Sequence, residues 1–471
     1  MILYGENPSL SHVPNAQRSI PAQIIAGIPL VQNNSDYWLL ERLHKYSSKG
    51  VERAVHPEVT IRHTTKVLKK IGVTTISEVT RLDNVGIPNF MSVRPRDNRF
   101  GISYYNGKGV TIKDAHAGAI MEAVERHAGE TCSYPTIAAT YAEMMRCCTV
   151  VHPKTIVAPE LQEFSEDLIL EWVAGFDLIQ NRETWVPLNA VVCPYDSSSY
   201  PHLIPANSNG LASGNFRTEA LCQAICEVIE RDSQAMAMTK LRILPVLSST
   251  LGADLNSSGH EPLRRVISHE GLPLRAARLV GKLKRAGLTV LLHDLTSTVG
   301  VATVECTLLD DRRSGGVQRF GGLGTHPDAR IAVTRSITEA AQSRISLIQG
   351  GREDIPRILQ NADQEKSQTR SSSRLKNERL LITYQDLPTV ENTFIDDDVR
   401  FLLEQLAKSD LKQVIVFDLT RSEVNIPVVK VLIPGAETWP TFHLHIGRAS
   451  LGQRAMASLT RSILDSSKAK T

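Results

Sequence analysis

The clearest pattern of polar and hydrophobic positions lies between Asn207 and Arg231. A glycine-rich run opens this stretch, and polar residues then recur with helical spacing, which predicts a helix that continues to about Arg242. The apolar Ile225 and Ile229 point away from the polar side of that helix. Four polar side chains share a face with an arc of about 80°, at roughly 100° per residue: Glu219, Gln223, Glu227 and Glu230.

Three carboxylates on one face of a helix, with no lysine between them, repel one another. Like charges at these spacings destabilise a helix by a few tenths of a kcal/mol per pair. A divalent cation would offset that repulsion, and Mg²⁺ prefers oxygen ligands and often bridges carboxylates to phosphate. The alternative is an acidic face that is simply solvated.

Elsewhere, predicted strands alternate with predicted helices, which indicates an α/β organisation. Strands are predicted at 74–82, 87–94, 102–110, 168–173, 185–187, 190–193, 289–295, 301–308, 413–418 and 428–432. Helices are predicted near 37–46 and at 60–71, 114–129, 263–286, 397–406 and 449–463. The remainder of residues 1–57 is expected to form a poorly specified arm, and the polar segment 360–379 a mobile loop or linker.

Two further stretches share the plan of a glycine-rich turn, a helix, and Glu with Arg or Gln on one side. Residues 107–126 end in E-x-x-E-R, a pattern that recurs at 227–231. Within residues 320–354, three polar residues share a face and a fourth follows: Arg335, Glu339, Gln342 and Arg344. Two copies of such a plan suggest an internal duplication.

Carboxylates for metal, arginines for phosphate and glycine amides at helix N-termini are the groups that bind a nucleoside triphosphate. Lys108 lies between two glycines, where backbone N–H groups can cradle an anion. The Walker A pattern does not occur in the sequence, which excludes a P-loop site. These residues therefore predict a nucleotide site of another kind, although each arginine has the alternative of an ion pair across neighbouring helices.

The three stretches resemble the motifs of the YcaO superfamily, S-x-x-x-E-x-x-E-R, N-G-x-A-x-G-N…E-A…Q…E-x-x-E-R and R-x-x-x-E-x-x-Q-x-R. They occur in the family's order and spacing from about Ile87 to Asp354, and the resemblance continues more loosely beyond. Gly118 stands where the family has a serine, so one expected hydroxyl contact is missing. The resemblance implies a YcaO-type mixed α/β fold with an internal pseudo-duplication and a non-P-loop ATP site.

The resemblance also implies ATP and Mg²⁺ as cofactors and assigns residues to them. The implied Mg²⁺ ligands are Glu122, Glu125, Glu227 and Glu230. The expected nucleotide-binding and supporting residues, with Lys108 included, are Lys108, Asn209, Asn215, Glu219, Gln223, Arg231, Arg335, Glu339, Gln342 and Arg344. No residue is assigned to catalysis.

YcaO proteins use ATP to phosphorylate a backbone amide oxygen of a peptide after a nucleophile attacks that amide. A side-chain nucleophile gives an azoline, sulfide gives a thioamide and an amine gives an amidine. The chain lacks the P-x-P-x-P ending of the azoline-forming branch, and its VLIPGAE phrase is similar to the branch that works with a TfuA-type partner. We therefore expect thioamide formation in a peptide or protein, with a sulfide donor. The alternatives are an azoline-forming cyclodehydratase and a nucleotide-binding accessory protein without chemistry.

Composition excludes several other classes. The net charge of +3 over 471 residues, with dispersed Lys and Arg, gives no indication of nucleic-acid binding. Seven cysteines without a C-x-x-C pair predict reduced thiols, and Cys222 and Cys226 are expected to face the core. With no leader pattern and no long apolar run, the sequence predicts a cytoplasmic protein that does not use a membrane and that is compatible with a homodimer.

The predicted organisation has four parts. These are an N-terminal arm with a small α/β segment at 1–85, an ATP-binding core at 86–355, a polar loop or linker at 356–385, and a C-terminal α/β part at 386–471 that packs on the core. His443 and His445 would project to one side of a strand as a metal pair, but the sequence offers no third ligand. His326 follows the glycine-rich run and is either near the nucleotide or an ordinary turn residue.

Overall fold

The structure is a computed structural model, and its strands form three sheets that surround the central helices. It describes residues 35–47, 50–95, 102–130, 134–156, 164–196, 198–201, 203, 207–240, 250, 264–311, 318–350, 379–437, 454, 457–461 and 464. Outside these residues lie positions 356–378 of the loop or linker predicted at 356–385, the histidine pair at 443 and 445, and most of the arm. Residues 379–382, which the prediction included in that linker, form a strand.

The first sheet is an antiparallel meander of β1 (Thr75–Glu78), β2 (Asn89–Pro95) and β3 (Ile102–Lys108). Helix α1 (Pro57–Thr65) precedes it and helix α2 (Ile112–Ala128) follows it. Helix α2 packs on β2 and β3, and α1 packs on α2. Thr111 and Asp114 form a capping box at the start of α2, which satisfies backbone N–H groups that the first turn would otherwise leave unpaired.

The second sheet has the order β11-β10-β9-β8-β12. Its strands are β8 (Arg264–Ile267), β9 (Thr289–Asp294), β10 (Thr303–Asp310), β11 (Gln318–Thr325) and β12 (Arg379–Ile382). All neighbours are antiparallel except β8 and β12, which are parallel. Helix α6 (Ala329–Gln349) packs on β10 and β11, and helix α5 (Leu274–Arg285) packs on α6 and β9.

The third sheet has the order β4-β5-β13-β14-β7, with β6 also paired to β5. Its strands are β4 (Thr136–Thr140), β5 (Ile169–Asp177), β6 (Arg182–Pro187), β7 (Leu211–Ser213), β13 (Ile415–Asp418) and β14 (Val428–Leu432). Helix α4 (Arg217–Met238) packs on β7 and β14, helix α7 (Ile395–Lys408) packs on α4, and the short α3 (Tyr141–Met145) follows β4. Strands from the predicted C-terminal part are therefore hydrogen-bonded inside a sheet with strands from the predicted core.

The glycines that the sequence places in turns lie partly inside strands. Gly107 is in β3, and Gly322 and Gly324 are in β11. A Cβ on any of the three would approach backbone atoms of the following helix, α2 or α6, to 2.1 Å. Glycine is required there because the helix backbone lies directly on the strand. The prediction of a glycine loop at 321–324 is thus wrong, and close helix–strand packing explains the glycines.

The two glycine-containing regions share an order of elements. In each region, three consecutive antiparallel strands are followed by a helix that packs on the third strand. The strands and helix are β1–β3 and α2 in the first region, and β9–β11 and α6 in the second. This common order is compatible with the predicted duplication.

Several predicted elements differ in the structure. The helix predicted at 263–286 is wrong in its first half, because residues 264–267 form β8 and the helix starts only at Leu274. Gly271 between them has a φ of +73°, which glycine adopts without strain, and Pro273 caps the helix. The strand predicted at 190–193 is also wrong, since a 3₁₀ helix at Leu188–Ala190 leads into a turn. Five strands of the structure were not predicted: β4, β7, β8, β11 and β12.

The apolar side of α4 supplies much of the core between the third sheet and α7. Ile225 and Ile229 are almost fully buried, in one cluster with Val416, Val429 and Leu402. Burial of this side fixes the rotation of α4 and leaves its polar face towards α2 and α6. Within the part of the chain that the structure describes, no helix is both long and apolar enough to cross a membrane.

Candidate functional site

The facing sides of α2 and α4 form a carboxylate-rich end of the site, which we define as Glu122, Glu125 and Glu227. One oxygen of Glu125 accepts a hydrogen bond from the backbone N–H of Ser213 in β7, at 3.1 Å. A guanidinium nitrogen of Arg126 lies 3.4 Å from Glu122, and another lies 4.0 Å from Glu125. The Nε of Arg126 has no hydrogen-bond partner among the described residues.

The carboxylates at this end are not fully neutralised. Burial is the main reason that the pKa of Glu125 is raised to about 8; Arg126 opposes this shift, and the neighbouring Glu227 and Glu122 add to it. Burial also raises the pKa of Glu227, although Arg231 and Arg126 oppose the shift. A carboxyl group that resists ionisation at neutral pH has too little positive charge around it. The carboxylate-rich end therefore fits a divalent cation with oxygen ligands.

The ligand atoms of these carboxylates do not converge on one point. Among the described residues, the only three metal-ligating groups whose ligand atoms all lie within 4.8 Å of one another belong to Cys222, His326 and Asp398. The side chains of Glu125 and Glu122 are 17% and 30% exposed, so an ion can reach them from solvent.

The other end of the site, the paired end, consists of ion pairs between α4, α6, β3 and the segment after Gly50. Lys108 on β3 lies 2.5 Å from Glu339 on α6. A guanidinium nitrogen of Arg335 lies 3.2 Å from Glu52 and also donates to the Gln223 side-chain oxygen. These contacts bring together four of the predicted nucleotide-binding residues, and Glu52 in addition.

At the paired end the charges are mostly compensated. Burial would raise the pKa of Glu52, but Arg335 and Arg53 lower it to about 2. Burial likewise opposes ionisation of Glu339, yet Lys108 and Arg231 lower its pKa.

Glu230 stands between the two ends. Burial and the nearby Glu339 raise its pKa to about 7, while Arg231, at 3.7 Å, and Arg335 partly offset this. Glu230 and Arg231 therefore link the charges of the carboxylate-rich end electrostatically to those of the paired end.

Asn215 and Glu219 form a third part of the site at the start of α4. The Asn215 amide donates to Glu219 at 3.2 Å and its oxygen accepts from the Thr60 hydroxyl at 2.9 Å. Burial raises the pKa of Glu219, although Arg53, at 3.8 Å, lowers it. This arrangement fixes the Asn215 side chain, so that α1 and the segment after Gly50 complete the site.

Comparison with known proteins identifies the family. The family model described as YcaO cyclodehydratase, ATP- and Mg²⁺-binding, matches residues 106–437, which is more than half of the chain. The chain belongs to the YcaO family. ATP and Mg²⁺ are therefore its cofactors, and the prediction of an ATP-dependent peptide-modifying enzyme is confirmed at the level of the family.

Individual relatives agree with this placement. An uncharacterised protein of Methanothermobacter thermautotrophicus is 34% identical over 84% of this chain and 98% of its own length. An uncharacterised protein in the tfuA 3′ region of Rhizobium leguminosarum bv. trifolii is 28% identical over 83% and 91%.

Two solved structures share the fold. The YcaO protein of Methanopyrus kandleri bound with AMPPCP and Mg²⁺ has a TM-score of 0.61, 28% identity and coverage of 83% of this chain and 94% of that one. A heterocyclase in complex with substrate and cofactor has a TM-score of 0.69, 20% identity and coverage of 85% of this chain. This chain spans 54% of that heterocyclase, so the comparison shows the fold alone. The predicted YcaO-type mixed α/β fold is confirmed.

Gly118, which replaces the YcaO serine, has a structural reason. A Cβ at Gly118 would lie 3.3 Å from the Cα of Gly107 and 3.6 Å from the backbone nitrogen of Lys108. The first contact is tight because α2 lies directly on β3 at this point. Gly118 thus permits the close packing that positions Lys108 next to the paired end.

Arg344 and Gln342 differ from the other predicted residues in their surroundings. Arg344 is 3% exposed and makes ion pairs with Asp83 at 2.7 Å and Asp310 at 2.8 Å. Both its carboxylate partners are buried, and neither belongs to the two ends of the site. Its position is that of a structural ion pair and does not support the predicted nucleotide contact. Gln342 donates to the backbone oxygen of Asn106 in β3 and so supports the strand that carries Lys108.

Sequence reasoning missed three residues at the site. Glu52 and Arg53 lie in a stretch whose turn signals predicted an unspecified arm, and its composition contains no signal for a site. Lys430 lies in β14, where it is 2% exposed and donates to the backbone oxygens of Asn207 and Asn209. A lysine in the apolar strand V-V-K-V-L was the available signal, because a buried charge requires partners.

The cluster of Cys222, His326 and Asp398 does not fit a metal. The Nδ1 of His326 accepts a hydrogen bond from the backbone N–H of Asp328 at 3.0 Å, which in the neutral ring places the proton on Nε2, 3.8 Å from Asp398. The ammonium of Lys45 lies 2.6 Å from the same carboxylate. Neither ring nitrogen of His326 therefore has a free lone pair for a metal. Lys45 already provides the positive charge beside Asp398. Cys222 and Cys226 are buried, as predicted.

Proposed function

We propose that this YcaO protein activates a backbone amide of a peptide by ATP-dependent O-phosphorylation and that the product is a thioamide. The observation that carries the proposal is the unneutralised carboxylate-rich end, with its raised pKa values at Glu125 and Glu227, next to the cations of the paired end. A site of this kind suits a metal-bound polyphosphate, because the metal supplies the missing positive charge and the cations meet the phosphates.

The residues divide into two roles in this proposal. Four carboxylates hold Mg²⁺: Glu122, Glu125, Glu227 and Glu230. The nucleotide and its phosphates contact Lys108, Asn209, Asn215, Glu219, Gln223, Arg231 and Arg335, while Glu339 and Gln342 support these side chains. ATP would supply the phosphoryl group that turns the amide oxygen into a leaving group. The work of the protein is then positioning and charge neutralisation, which dominate phosphoryl transfer.

Two observations support a thioamide and a TfuA-type partner. The relative in the tfuA 3′ region covers most of both chains, which associates a close match with that gene context. The phrase VLIPGAE, at Val431–Glu437, begins with the last two residues of β14 and contributes to the wall beside Asn209. Sulfide would then be the nucleophile, from a separate donor. Azoline formation is the second candidate, because the family model that matches the chain is described as a cyclodehydratase.

The first test is calorimetric titration of ATP with and without Mg²⁺. We expect binding to the wild type only with Mg²⁺, and at least tenfold weaker binding to Glu227→Gln. Glu404→Gln is the matched control, since Glu404 is an exposed glutamate in an i,i+4 pair with Lys408 on α7. Absence of ATP binding to a folded wild type, or equal loss in both variants, would refute the site.

The second test identifies the product by mass. A peptide that acquires a thioamide becomes heavier, because sulfur replaces oxygen, whereas cyclodehydration makes it lighter by one water. The peptide is incubated with the protein, Mg²⁺, ATP and sulfide, with and without a TfuA-type protein. A mass loss without sulfide would establish the azoline alternative in place of our proposal.

A further inference from the structure

A small pocket adjoins the carboxylate-rich end on the side of the third sheet. It lies between β14, the loop at 207–210, the 3₁₀ helix Leu188–Ala190 and one turn of α4. Part of its wall is apolar, from Ile156, Val228 and Ile433, and part is polar, from Asn209 and Lys430. None of the motif residues except Asn209 belongs to it.

Two groups of the polar wall are not fully paired within the described part of the chain, the ammonium of Lys430 and the side-chain oxygen of Asn209. Lys430 uses two of its three N–H donors, on the backbone oxygens of Asn207 at 3.1 Å and Asn209 at 2.7 Å. The side-chain oxygen of Asn209 is buried and accepts no hydrogen bond among the described residues. Buried polar groups in proteins are nearly always satisfied, so a donor and an acceptor left over in one pocket point to a ligand.

The surroundings of the pocket connect it to the reaction. The ammonium of Lys430 lies close enough to Glu227 and Glu125 to interact with both electrostatically, and Val228 follows Glu227 on α4. A group bound at Lys430 would therefore be next to the residues to which we assign Mg²⁺. A secondary amide offers one acceptor and one donor on a planar unit whose neighbours are carbon atoms, which matches a pocket whose lining combines Lys430 and Asn209 with several apolar side chains.

We propose that this pocket binds the backbone amide of the peptide substrate, whose carbonyl oxygen accepts from Lys430 and whose N–H donates to the Asn209 side chain. This inference rests on the proposed function, because it assigns a position to the amide that is to be phosphorylated. It also changes the role of Asn209, from a nucleotide contact to a substrate contact.

The test uses N-methylacetamide, which contains a single secondary amide, as the probe and methyl acetate, the corresponding ester without an N–H, as its partner. Saturation-transfer NMR titrations are run on the full chain with and without Mg²⁺ and ATP. For the wild type we expect the amide to bind about tenfold more tightly than the ester, since the ester leaves Asn209 unpaired. For Asn209→Leu we expect the two probes to bind equally.

Asn209→Leu is the main variant because its side-chain oxygen has no internal partner, so the thermal midpoint should not fall. Lys430→Met should weaken both probes, and Lys284→Met, at an exposed lysine on α5, is the control that should change neither. If Lys430→Met does not fold, the comparison of amide and ester on Asn209→Leu still decides the question.

The outcomes separate the two proposals. Binding of Mg²⁺ and ATP without any amide preference would overturn the pocket and leave the proposed function standing. Loss of ATP affinity in Asn209→Leu, with the amide preference absent from the wild type, would make the pocket part of the nucleotide site and also overturn the inference. An amide preference in a chain that binds no ATP would support the pocket and refute the nucleotide site.

Discussion

The two ends of the site are built from the same residue types but have opposite electrostatic states. At the carboxylate-rich end, Arg126 faces several glutamates, and the pKa of Glu125 is raised to about 8 by burial and by its neighbours. At the paired end each carboxylate has a cation at contact distance, and the pKa of Glu52 is about 2, because Arg335 and Arg53 outweigh burial. One end lacks a positive charge that a metal can supply, and the other is organised before any ligand arrives.

Because of this difference, we expect substitutions at the two ends to change the stability of the protein in different ways. An ion pair that is already formed stabilises the fold, and its loss leaves a charge unpaired. A set of carboxylates that waits for a metal destabilises the fold until the metal binds, which is a frequent cost of functional sites.

The largest change in stability is expected at Arg344, whose ion pairs lie outside both ends of the site. Arg344→Met leaves Asp83 and Asp310 buried without their cation, which should lower the free energy of unfolding by about 3–5 kcal/mol. Urea denaturation measures it, and Arg400→Met, at a side chain that is 55% exposed, is the control. If Arg344→Met instead keeps the stability and loses only ATP affinity, Arg344 belongs to the nucleotide site after all.

Two further variants test the difference between the two ends, because their changes in the free energy of unfolding are expected to be smaller and to have opposite signs. Without metal, Glu125→Gln should raise the free energy of unfolding by about 1–2 kcal/mol, because it removes a repelled carboxylate. Glu52→Gln should lower it by about 1–2 kcal/mol, because Arg335 loses its anionic partner. Both are measured by urea denaturation in chelator. Changes of the same sign would show that the two ends do not differ.

The smallest effect is a dependence on pH. Glu125 and Glu230 have pKa values of about 8 and 7, above the ordinary 4.5, so the folded state retains protons that the unfolded state releases. These groups therefore favour folding below about pH 4.5, and their contribution is lost as pH rises to about 8. The thermal midpoint in chelator should fall from pH 5 to pH 8, and less steeply in Glu125→Gln. A slope that is identical in the two proteins would exclude Glu125 as its source.

The same thermal midpoints are also measured with Mg²⁺ and ATP added in place of the chelator. Ligands that bind only the folded state stabilise it, and a cation at the carboxylate-rich end would favour the ionised glutamates. The decline of the thermal midpoint with pH should then become shallower in the wild type. The Glu404→Gln control should respond as the wild type does.

The sequence alone determined the family and the polar face of α4, and it predicted most of the charged residues that the fold brings together. Hydrophobic spacing was sufficient for α4, because a long helix with one apolar side has only one way to bury it. The motif glutamates and arginines were identifiable because like charges on one face are rare without a reason. The strands β2, β13 and β14 were also recognisable from their β-branched residues.

Only the tertiary structure decided which charges meet. Glu52 reaches Arg335 from a segment almost 300 positions earlier in the chain, and spacing along a sequence contains no information about such a contact. The same holds for Arg344, whose motif position suggested a ligand but whose packing provides Asp83 and Asp310 as partners. The glycines of β11 were misread for a related reason, since the helix that lies on them follows later in the chain. Local patterns specify elements, whereas burial and pairing depend on which elements the fold brings together.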